Sequence, residues 1–118
     1  MYIQDKTYAS FLLEIRNLAL KLNVISESAR LALQGWKEVL KQENSLEEYV
    51  DAKEEFIKEI SFLEKEYDNL AFKLLIEVRQ AEEFLNDEEL DNLKMTVGND
   101  ICCIFLAWDQ YKNYKDKN

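Results

Sequence analysis

Apolar side chains recur at Tyr8, Phe11, Ile15, Leu18, Leu22, Ile25, Ala29, Ala32, Trp36 and Val39, in alternating steps of three and four. A period near 3.5 keeps one face of an α-helix apolar and is the pattern of supercoiled helix packing. It predicts helix A over about 5–42. Gly35 is the place where that helix could divide. The seam keeps its phase through Trp36 and Val39, which favours one long helix, and an internal Gly costs only about 1 kcal/mol against Ala. Ser45, followed three residues later by Glu48, reads as a capping box that opens helix B, about 46–85. Its seam is Leu46, Tyr49, Phe56, Ile60, Leu63, Tyr67, Leu70, Leu74, Ala81 and Phe84, interrupted at Lys53 and Glu77. Asn86 ahead of Asp87, Glu88 and Glu89 reads as the cap of helix C, about 87–115. Leu90, Leu93, Val97, Ile101, Ile104, Trp108 and Tyr111 share one face of it, and Gly98-Asn99 is its weakest stretch.

Both connections span only a few residues, so neighbouring helices are expected to run antiparallel. The expected fold is all-α, a single helical domain over 1–118. It is an up-down-up antiparallel three-helix bundle with two long coiled-coil helices and a shorter third. At about 42 Å against about 57 and 60 Å, helix C should lie along the first half of A and the second half of B. Those halves carry extra apolar residues: Leu12, Leu13, Ala19 and Leu20 on A, and Ala71, Phe72, Leu75, Ile76 and Val78 on B. A three-helix section needs such width. The rest, roughly residues 29 to 60, is expected to project as a two-helix arm. From Lys41 to Asp68 the chain holds ten acidic residues and four lysines.

Composition narrows the chemistry. The 118 residues, 47% of them apolar, suffice for one core. With no Pro and two Gly, a sandwich or barrel rich in tight turns is excluded. The absence of His removes imidazole ligands, His general bases and nucleophile–His dyads together. Glu54-Glu55 and Glu82-Glu83 are sequence neighbours and point to different sides of a helix. Two isolated glycines cannot form a phosphate-cradling loop. The expectation is a protein that is not an enzyme and takes no cofactor or metal.

A net charge of −9 makes nucleic acid and anionic membranes poor partners. Cys102 and Cys103 point about 100° apart on a helix, so they do not pair with each other, and two thiols fall short of a zinc site. They are expected as small buried residues in a reducing cytosol. No signal-like segment opens the chain, and its longest uncharged apolar stretch, Ile101 to Trp108, is too short to cross a bilayer. A cytoplasmic protein without membrane insertion is expected.

That stretch is more apolar than its seam needs. Ile101, Ile104 and Trp108 serve the seam, while Cys102, Phe105 and Leu106 fall on other faces. Either helix C wedges between A and B and buries two faces, or a partner covers the surplus. The candidate partner-binding residues are Met95, Cys102, Phe105, Leu106 and Trp108. The partner would be an amphipathic helix of a protein client, or a second copy in a homo-oligomer.

A long helix, a short acidic connection, then Leu46-Glu47-Glu48-Tyr49-Val50-Asp51-Ala52-Lys53-Glu54-Glu55-Phe56-Ile57-Lys58-Glu59-Ile60, with Leu63 and Tyr67-Asp68 following, resembles flagellar export chaperones of the FlgN/FliT type. The resemblance is one of helix layout and heptad character over about residues 8 to 85. It implies a non-enzymatic cytoplasmic chaperone that holds a junction or cap protein of the flagellum before export, with the chaperone's C-terminal part taking part in binding. Helix C departs from the family, whose members are usually polar there. Two other readings fit the residues. One is an acidic immunity- or antitoxin-like protein that neutralises a basic toxin. The other is a structural homodimer paired through helix C.

Overall fold

A computed structural model describes residues 7–117, with side chains through Tyr111. The described residues form three helices, α1 (Tyr8–Lys41), α2 (Leu46–Phe84) and α3 (Asp87–Lys117). The molecule measures 63 × 31 × 18 Å.

Each helix starts where a side chain satisfies orphan backbone N–H groups. Thr7 caps α1: its Oγ1 accepts from the Ser10 N–H at 3.3 Å, and the Ser10 hydroxyl oxygen accepts from the Thr7 N–H at 2.9 Å. The expected start at Asp5 lies outside the described residues. Ser45 Oγ accepts from the Glu48 N–H at 3.2 Å and opens α2. Asn86 Oδ1 accepts from the Glu89 N–H at 2.8 Å, and Glu89 Oε1 accepts back from the Asn86 N–H at 3.3 Å. The first turn of α3 is acidic, as the helix dipole favours. In the first connection, Asn44 Nδ2 donates to the Val39 and Gln42 carbonyls. These bonds close the turn that returns the chain along α1. Both α1 and α3 run unbroken through their glycines.

One apolar cluster joins the three helices. Phe11, Ile15, Leu18, Leu22, Ile25, Ala29, Leu33 and Trp36 supply it from α1; Phe56, Ile60, Leu63, Tyr67, Leu74 and Ala81 from α2; Leu93, Val97 and Trp108 from α3. Ring contacts fix the pairing. Phe11 meets Phe84 at 6.3 Å between centroids, while Trp36 meets Tyr49 at 5.4 Å and stacks on Phe56 at 5.8 Å. The start of α1 therefore lies by the end of α2, and the end of α1 by its start. Tyr67 stacks on Trp108 at 4.3 Å and takes Phe105 edge-on at 5.9 Å.

Several expectations are corrected. Leu46 and Phe84, at the two ends of α2, are 79% and 65% exposed. Of the extra apolar residues assigned to a wider core, Leu13, Leu20, Phe72, Leu75 and Ile76 are exposed. Only Ala19 is buried, with Leu12, Ala71 and Val78 packed against the cluster. The third helix runs to Lys117, close to the expected end. Tyr111 still packs against the core cluster, and α3 continues for another six residues, about 9 Å.

Candidate binding surface

The sequence-predicted residues divide between core and surface. Trp108 is 3% exposed and packed on Tyr67, so it belongs to the core and presents no docking surface. Phe105 is half-buried against Tyr67. Met95 and Leu106 are 82% and 60% exposed. Cys102 and Cys103 are both exposed free thiols, which corrects their expected burial. At about 100° per residue, Met95, Cys102 and Leu106 fall within about 40° of one another, on the side of α3 turned away from Leu93, Val97 and Trp108.

A groove of about 400 Å³ lies between α1 and α3. Ala19, Leu20, Val97 and Ile104 give it apolar walls, Arg16 and Asp100 supply one charge of each sign, and Cys103 lines it too. Sequence reasoning missed Arg16, Ala19, Leu20 and Asp100 as site residues. The available signal was Leu20, an apolar residue off the seam. What hid the groove is that periodicity alone does not say on which flank of α1 the third helix lies. The arrangement suits a helix that lays a short apolar stripe into the groove and satisfies a charge at either edge.

A smaller hollow, about 310 Å³, lies between α1 and α2. Trp36 and Phe56 line it, with Ala32, Gly35, Glu55 and Glu59. The Trp36 Nε1–H and the Tyr67 hydroxyl are buried without a hydrogen-bond partner. Burial first, and then Asp109 and Asp68, push the Tyr67 hydroxyl pKa up. On the outer surface Arg30 binds Glu27 at 3.1 Å. That hydrogen bond, then the Glu27 charge itself, raises the Arg30 pKa.

Among the described residues no group of three or more Cys, Asp or Glu is placed to hold a metal ion. Nor is any described helix long and apolar enough to cross a membrane. No family model, no curated protein and no solved structure matches the chain.

Proposed function

We propose that this protein is a non-enzymatic, cytoplasmic binding protein of the flagellar export chaperone type, which holds an amphipathic helix of a junction or cap subunit before export. The observation that carries the reading is the apolar groove between α1 and α3, with Cys102 and Leu106 exposed on the outer side of α3. The ring pairings support antiparallel, coiled-coil-like packing of α1 and α2, the first two members of an up-down-up bundle. In such a bundle the groove stays open at a flank of the third helix. A client stripe of i, i+3 and i+4 residues would gain about 25 cal/mol per Å² of apolar area buried. The flagellar assignment itself rests on the layout of α1 and α2 described above.

The test is capture of flagellar junction and cap proteins at micromolar concentration. Cys103→Trp, which fills the groove, and Leu106→Glu should each abolish capture while leaving helix content unchanged. Absence of capture by the wild type contradicts the flagellar reading. The acidic immunity-like reading is favoured by α2, which carries twelve acidic against five basic residues. Its signature is a partner whose affinity falls steeply with salt, whereas an apolar grip holds.

A further inference from the structure

The outward side of α1 carries a second apolar stripe. Leu13, Leu20, Val24 and Leu31 are 63%, 64%, 65% and 58% exposed. At about 100° per residue they fall within about 40° of one another, turned away from the core face of Phe11, Ile15, Leu22 and Ala29. Their spacings are seven, four and seven, so the stripe reads the same in both directions about a centre at Leu22.

We propose that this stripe pairs with its own copy, antiparallel, across a twofold axis beside Leu22. That axis sets Leu13 opposite Leu31 and Leu20 opposite Val24 of the second copy, each contact occurring twice, as an isologous interface requires. The polar positions in the stripe follow the same symmetry. Asn17 and Glu27 are equidistant from the centre, so Glu27 lies level with Asn17 of the other copy, with Arg16 one residue away. The carboxylate thus meets an amide donor and a cation. A parallel pair would instead set Glu27 against Glu27, two like charges at one level. Charge therefore selects the antiparallel arrangement. Across the whole helix, α1 holds five basic and three acidic residues, so two copies of it meet without the repulsion that two acidic α2 faces would suffer.

The area sets the strength. Helices symmetric about Leu22 overlap for about 42 Å, and a strip about 10 Å wide gives roughly 400 Å² per copy. The total of about 800 Å² is below the 1,200–2,000 Å² of stable interfaces, so the pair is a weak, reversible dimer. Leu20 and Arg16 also line the α1–α3 groove, whereas Val24 lines no part of it and separates self-pairing from client capture.

Sedimentation equilibrium from about 10 to 500 μM should show a monomer–dimer equilibrium for the wild type. Val24→Glu should weaken it at least tenfold, and Leu106→Glu should leave it unchanged. Orientation is read with both natural cysteines changed to Ser. Oxidising a mixture of Leu13→Cys and Leu31→Cys chains should give mixed-disulfide dimers. Leu13→Cys alone should form no disulfide-linked dimer, since its two copies lie about 27 Å apart. The proposal is overturned by a wild type monomeric throughout, by a dimer abolished through Leu106→Glu but not Val24→Glu, or by efficient cross-linking of Leu13→Cys to itself.

Discussion

The two sides of α1 use the same heptad steps and do different work. Inward, Phe11, Ile15, Leu18, Leu22, Ile25 and Ala29 form a continuous apolar stripe, with buried Ser26 at its edge, and it is sealed by α2 and α3. Outward, Leu13, Leu20, Val24 and Leu31 alternate with Asn17 and Glu27 and remain exposed. Continuity separates them. An unbroken stripe buries enough area to order the chain, while an interrupted one loses part of its gain to polar desolvation and suits reversible contact.

Truncation should expose that difference most plainly. Ile15, fully buried, should cost about 2–5 kcal/mol as Ile15→Ala. Leu13→Ala, on the opposite side, should change stability by no more than about 0.5 kcal/mol. Urea unfolding of the two variants side by side measures both, and equal losses would erase the distinction.

A helical glycine offers a smaller, opposite effect. A Cβ added at Gly35 or Gly98 meets nothing within 4 Å, and neither residue has positive φ. Gly35→Ala and Gly98→Ala should each stabilise by up to about 1 kcal/mol. The same unfolding assay checks them, and destabilisation at Gly35 would mean that α1 needs to bend there.

The smallest effect concerns the inner face at high pH. The folded state holds Tyr67 neutral beyond the pH at which the unfolded chain ionises it, since its pKa is raised above the ordinary value of 10.0. Its contribution is therefore complete below pH 10 and is lost as pH rises further, because the unfolded state sheds the proton first. Tyr67→Phe also removes an unpartnered buried hydroxyl. It should fold as well as the wild type at neutral pH and lose less stability in alkaline melts.

Most of the inner stripe was legible from sequence, because a 3.5-residue repeat with no slip leaves one choice of face. Leu33 and Ser26 were missed: both are buried beside the seam rather than on it, where three-helix packing widens the covered face. The outer stripe was misread for the complementary reason. Leu13 and Leu20 have the spacing of core residues, and spacing does not distinguish a face turned inward from one turned outward. Of the candidate site, Met95, Cys102 and Leu106 emerged as surface. Trp108 did not, because its large ring fits the space over Tyr67. The groove required knowing that α3 packs mainly on α1 and touches α2 at fewer places, a fact of three-dimensional handedness that local pattern does not encode.

Thermal unfolding at two protein concentrations tests most directly whether the outer stripe serves association. If a second copy covers it, the midpoint of the wild type should rise by a few degrees between about 5 and 500 μM, by mass action. Val24→Glu should melt at one temperature at both concentrations, close to that of the dilute wild type. A wild-type midpoint indifferent to concentration, or a Val24→Glu midpoint that climbs in parallel with it, would contradict the account.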